Sequence, residues 1–192
     1  MRTNKHVYTD PLDVIWLDTA RRMGMRVVRS SEVFAAWDGQ GTLTIGTAET
    51  LDPDDSLAQM ILHETCHALI EGPDAFHQPD WGVRLDLPQQ RVREHACLRL
   101  QAALAQPFGL RQFFAATTMF RRYYDDLPTD AMEGDDDPAV PIARRGLQRA
   151  HSGPWSSILQ LALLRTRTIA ECVLAAADED SLWATYRTDG SD

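Results

Sequence analysis

Cysteine, positive charge and long apolar runs are all scarce in this sequence. Its three cysteines, Cys66, Cys97 and Cys172, are too few and odd in number for a disulfide framework. Nineteen Lys and Arg stand against 28 Asp and Glu, a formal net charge of −9. The surface as a whole should repel a phosphate backbone, so nucleic acid is not an expected partner. The longest apolar stretch, "ILQLALLRTRTIAECVLAAA", is broken by Arg165 and Arg167, which suits a buried helix better than a membrane span. The N-terminal "MRTNKHVYTDPLD" holds no apolar core of a signal peptide, and no repeat recurs at solenoid spacing. The expectation is a cytoplasmic protein with no membrane partner.

Hydrophobic residues make up 44% and charged residues 24% of the chain, globular usage that argues against a mainly disordered polypeptide. At 192 residues one domain with a sizeable core is expected, spanning 1–192. Within it, 1–55 reads as a helix plus strands, 56–106 as two helices bearing the polar motif described below, and 107–192 as a helical half interrupted by an acidic loop at 125–141.

"DPLDVIWLDTARRMG" spaces Leu12, Ile15, Trp16 and Ala20 about a helical turn apart and ends on Gly24. "MRVVRSS", "VFAAWDG" and "TLTIGTA" read as two or three strands divided by the turn "DGQG". "DPDDSLAQMILHETCHALIEG" opens with acids, which favour a helix N-terminus, and closes on Gly72 and Pro73. A Pro- and Gly-bearing connection leads to a helix over "RVREHACLRLQAALA". "LRQFFAATTMFRRYYDD" reads as a fourth helix, and "IARRGLQRA" and "WSSILQLALLRTRTIAECVLAAAD" as two more. The acidic segment "DDLPTDAMEGDDDPAVP" is expected to be a mobile loop.

Chemistry concentrates in "HETCH", His63 to His67. On a helix, residues i and i+4 share a face, so two imidazoles can meet at one point about 2 Å from each ring nitrogen, the usual zinc–nitrogen distance. Glu64 lies about 100° further round the helix. There it would miss the ion as a ligand but reach a metal-bound water as general base.

Strands, an HExxH helix, a loop and a second helix offering an acid resemble the zincin metallopeptidases over roughly 26–105. The glutamate-ligand branch, the gluzincins, is the better likeness, because a metzincin extension needs glycine and histidine where this chain has Ile70 and Pro73. The resemblance implies an α+β, zincin-like fold: a small antiparallel or mixed sheet packed on a helical core, with a mostly helical C-terminal half. It also points to "VREHAC" for a third ligand. Glu94 is preferred there, since a carboxylate offsets the charge of a dication held by two neutral rings, with His95 as the alternative. His77, Asp80 and Asp86 are weaker candidates. Leu98 stands where the gluzincin pattern often has an Asp supporting a motif histidine. Cys66 and Cys97 read as small core residues, with a thiol near the metal or a disulfide as alternatives.

In zincins an edge strand before the motif helix pairs with an extended peptide, and "GTLTIGT" at 41–47 occupies that place. Tyr123, Tyr124 and His151 are of a type that could stabilise an oxyanion; Tyr123 and His151 are taken with Glu64 as the catalytic set. The acidic run at 125–137 could cover a cleft and select basic substrates.

The expected function is therefore a zinc-dependent hydrolase, a peptidase acting on a peptide or protein substrate, with the ion on His63, His67 and Glu94. A second resemblance competes. "HETCHALIEG", "PDWG" and "EHACLRLQAALAQPFG" are similar in order to elongation factor P hydroxylase, which implies a non-haem metal, and two histidines with a carboxylate suit Fe2+ as well as Zn2+. A metal-stabilised or metal-free binding module is the third reading.

Overall fold

The computed structural model describes residues 6–83, 88–115, 120–134 and 136–186. Its architecture is α+β, with a three-stranded mixed sheet and, among the described residues, six α-helices.

Helix α1, Pro11–Arg22, starts where Asp10 accepts the Leu12 N–H at 2.8 Å and Pro11 takes the first helical position. Strands β1 (Arg26–Ser30), β2 (Ala35–Trp37) and β3 (Thr42–Gly46) follow, so all three segments expected to be strands are strands. Their spatial order is β1-β3-β2, with β1 parallel and β2 antiparallel to β3. The strand expected at the edge as a peptide shelf is thus the central one. Leu43 and Ile45 explain its place: both are fully buried, and a strand with that inner face is best covered by neighbours on both sides.

Helix α2, Leu57–Glu71, carries the HETCH motif. The acids at 52–55 precede it and do not form its first turn. Its start is fixed by a capping box, in which Ser56 accepts the Gln59 N–H and the Gln59 side chain reaches back to the Ser56 N–H. At its far end Arg149 donates to the carbonyls of Leu69 and Ile70 at 2.6 and 2.9 Å, satisfying two groups that a helix terminus otherwise leaves open. Thirteen of its fifteen residues are buried, because α1, α3 and α5 all pack on it.

A short 3₁₀ turn, Pro73–His77, and a tight turn with left-handed backbone, Pro79–Gly82, lead toward α3, Pro88–Ala105. The segment read as a long fourth helix is cut to a single turn, α4 (Arg121–Asp125). Before it, Leu110, Phe113 and Phe114 are buried in a turn-rich stretch, and 116–119 lie outside the described residues. Helices α5 (Ala139–Ser152) and α6 (Ser156–Val173) complete the bundle. Trp16 on α1 donates its indole N–H to Thr166 on α6 at 3.0 Å, so this fully buried tryptophan leaves no unpaired donor in the core.

The acidic loop expected to be mobile is gripped by arginines. Arg99, buried on α3, donates to the Ala131 and Glu133 carbonyls at 2.6 and 2.9 Å and to Asp137 at 3.0 Å. Arg111 reaches the carbonyls of Leu127, Pro128 and Thr129, and Arg144 that of Met132. Among the described residues no helix is long and apolar enough to cross a membrane.

Candidate metal centre

Helices α2 and α3 pack side by side and bring Glu94 of α3 to the two histidines of the HETCH motif on α2. The Nε2 atoms of His63 and His67 stand 3.1 Å apart. The Glu94 carboxylate turns Oε1 to His63 Nε2 at 3.4 Å and Oε2 to His67 Nε2 at 3.3 Å. A tetrahedral ion with bonds of about 2.0–2.1 Å holds its ligand atoms about 3.3 Å apart. The His63–His67 separation and the distance from each imidazole to its nearer Glu94 oxygen are all close to that spacing, so the donor set is of a size and chemistry suited to a divalent ion. His67 and Glu94 are buried and His63 is half-buried, so water competes little for these donors.

Cys97, one turn after Glu94 on α3, makes a second possible donor set with the two histidines, all within 4.8 Å. The hydrogen bonding of His63 decides between the sets. Gln101 donates its amide to the Phe114 carbonyl, which turns its Oε1 toward His63 Nδ1 at 3.0 Å. An oxygen there accepts only, so Nδ1 carries the ring proton and the Nε2 lone pair faces His67 and Glu94. The Cys97 sulfur sits on the wrong side of the ring, 3.8 Å from Nδ1 and 3.5 Å from the His63 carbonyl. Burial also pushes its thiol pKa well up, the neighbouring Cys66 thiol adding to the effect. Cys66 and Cys97 are close neighbours, both buried and both free, so the disulfide alternative is not realised.

Glu64 stands apart from this triangle. Its Oε2 accepts the indole N–H of Trp81 at 2.8 Å, and the side chain is buried. Trp81 belongs to the left-handed turn at Pro79–Gly82 and stacks on Trp37 of β2, the rings 4.4 Å apart and 5° from parallel.

The other sequence candidates lie elsewhere. His95 turns away from the histidine pair and stacks on Tyr123 at 3.6 Å, where burial lowers its pKa. The Tyr123 hydroxyl donates to Asp137 at 2.8 Å and accepts from Arg99 at 2.6 Å; burial and the Asp137 carboxylate push its pKa up. That hydroxyl belongs to the clamp on the acidic loop, and the expected catalytic role has no geometric support. Tyr124 is buried, with its hydroxyl on the Arg111 carbonyl at 2.8 Å. His151 is exposed at the end of α5, beside a groove formed with α6 and the end of α3, remote in the fold from the turn of α3 that bears Glu94. Its expected catalytic role is likewise unsupported. His77 is exposed and Asp80 binds the Trp37 N–H at 3.1 Å, so neither joins the cluster, and Asp86 lies outside the described residues.

Two functional contacts escaped the sequence reading. Gln101 supports His63 from two turns beyond Glu94, and no spacing rule distinguishes it from any other helix glutamine. Trp81 appeared only within the quoted "PDWG", with no sign that its indole would meet Glu64. No protein-family model, curated protein or solved structure matches this chain.

Proposed function

We propose that this chain is a divalent-metal hydrolase of zincin-like type, with the ion on His63, His67 and Glu94 and with Glu64 as general base on an acyl or peptide substrate. The observation that carries the reading is the convergence of the Glu94 carboxylate on both imidazole Nε2 atoms, at distances suited to one ion. The bound ion would supply Lewis acidity toward a substrate carbonyl and a water. The chain supplies the rest. Gln101 fixes the His63 tautomer, Glu94 offsets the charge of the dication, and Glu64 keeps an oxygen outside the ligand triangle that can take up a proton.

The fold also bears on the substrate. A peptide laid along β3 finds no open edge there, since β1 and β2 flank it, and on β2 the Trp37 N–H is already bonded to Asp80. The scissile group would therefore be offered by a chain end or a side chain, not by a strand added at β3.

A second reading has its own support. "PDWG" is part of the resemblance to elongation factor P hydroxylase, and its tryptophan bonds the glutamate of HETCH; the same three donors suit ferrous iron in an oxygenase. Elemental analysis of the purified chain, followed by Glu64→Gln, separates the readings. Hydrolysis calls for zinc retained and turnover of acyl and peptide substrates reduced at least about 100-fold. Iron with substrate-dependent oxygen uptake transfers the site to the hydroxylase reading. A chain that takes up neither ion on reconstitution would sink both and leave a binding module.

A further inference from the structure

We propose that Trp81 is a positioning residue for Glu64: its indole N–H occupies Oε2 so that Oε1 alone remains to exchange a proton with water. The proposal rests on the metal-enzyme reading and adds to it the group that aims the base.

Three observations converge on it. The first is the bond itself, 2.8 Å from indole nitrogen to Oε2, with Trp81 2% exposed. A carboxylate so held has a preferred orientation, with the indole proton on Oε2 and Oε1 left without that donor.

The second is backbone conformation. Asp80 and Trp81 both adopt left-handed conformations, with φ of 47° and 56°, and Gly82 follows at 73°. Among the described residues Asp80 and Trp81 are the only non-glycines with positive φ. An aspartate tolerates this region, but a bulky aromatic pays a steric penalty there. Such strain persists only where the surroundings over-determine it, and here it turns the indole edge toward the base.

The third is that the surroundings do over-determine it. Asp80 Oδ1 takes the Trp37 backbone N–H, the two indoles stack, and the Trp37 indole N–H is bonded to the Phe76 carbonyl at 3.0 Å. Gly39, in the turn between β2 and β3, backs so closely on this loop that a Cβ there would meet the Gln78 carbonyl carbon at 2.9 Å. A tryptophan that only needed its N–H satisfied would not require this scaffold, which ties the sheet to the base and bypasses the metal ligands.

The test uses the full chain loaded with zinc and acetohydroxamate as probe, a ligand that chelates the ion and donates a hydrogen bond to the base. Trp81→Phe keeps the ring stack and deletes the donor. It should bind zinc within about twofold of wild type and acetohydroxamate about tenfold more weakly, in the same direction as Glu64→Gln. Asp80→Ala, which frees the loop and leaves the indole intact, should weaken the probe by a smaller factor. In the zinc-free chain, the indole N–H resonance that disappears in Trp81→Phe should be the one displaced most by Glu64→Ala. Wild-type probe affinity in Trp81→Phe, or loss of zinc together with the probe, would overturn the positioning role while leaving the metal-enzyme reading standing. A wild-type chain that binds no zinc or iron overturns both.

Discussion

Gln101 holds the His63 ring through Nδ1, and it does so from two turns beyond Glu94 on the same helix. Its amide is oriented by the Phe114 carbonyl, so the oxygen presented to His63 Nδ1 is fixed and not adaptable. Gln101→Leu should leave the three donors in place but free the ring to rotate and lose its tautomer bias. Support of this kind is worth about 10–100-fold in metal affinity. Titration with zinc against a competing chelator should show a loss of that size. Affinity equal to wild type would mean that packing alone holds the ring. The grouping of His63, His67 and Glu94 was legible in the sequence because helical geometry ties i to i+4, and because Glu94 is the only carboxylate in "VREHAC". Gln101 was not legible, because its role depends on where Phe114 lies, a tertiary fact with no sequence period.

Helix α3 works on both faces, and its two faces explain which expectations about the acidic loop failed. One face presents Glu94, Cys97 and Gln101 to α2; the other presents His95 and Arg99 to Tyr123 and Asp137. Composition read the loop as solvated because it is rich in Asp and Pro, but composition carries no information about a buried arginine arriving from 30 or so residues upstream. Burial works against the charged form of Asp137, yet the Ala139 N–H, the Tyr123 hydroxyl and Arg99 together hold its carboxyl below the usual value of 3.8. A carboxyl whose pKa is depressed on folding contributes stability that is complete above the unfolded value and is lost as pH falls through the folded one. Asp137→Asn should therefore be less stable than wild type near neutral pH, with the gap closing below about pH 3.8. Denaturant unfolding of both proteins across that range checks it; a gap that does not change with pH would remove the charge from the account. The helix and strand elements themselves were largely readable, since the period of "DVIWLDTA" and the stops at Gly24 and Gly72 are local signals. The sheet order was not, because β3 looks the same in sequence whether it is central or at an edge.

Helices α2 and α3 meet at the two histidines and Glu94, where an ion would join them. Two histidines from one helix and a carboxylate from the other make metal binding and helix packing one event, so ligand binding adds to folding stability by mass action. Zinc at about 100 times its dissociation constant should stabilise the chain by about 2.7 kcal/mol. A chelator should reverse the gain, and Glu94→Gln should largely abolish it. Thermal melts with and without zinc measure the effect, and equal melting temperatures would mean that no ion joins the helices. The net charge of −9 works in the same direction, drawing cations toward the surface although the site itself is recessed.

The clamp on the acidic segment has a consequence for how this chain can change. Arg99, Arg111 and Arg144 together hold it through six main-chain carbonyls, those of Leu127, Pro128, Thr129, Ala131, Met132 and Glu133. Every amino acid carries that acceptor, so much of the segment's path is written into the three arginines that receive it, with Asp130 and Asp137 adding side-chain bonds to the Met132 and Ala139 N–H groups. An exposed position such as Glu133, held by Arg99 through its carbonyl, is thereby released to drift, or to be recruited for recognition, without disturbing the helix that carries Glu94.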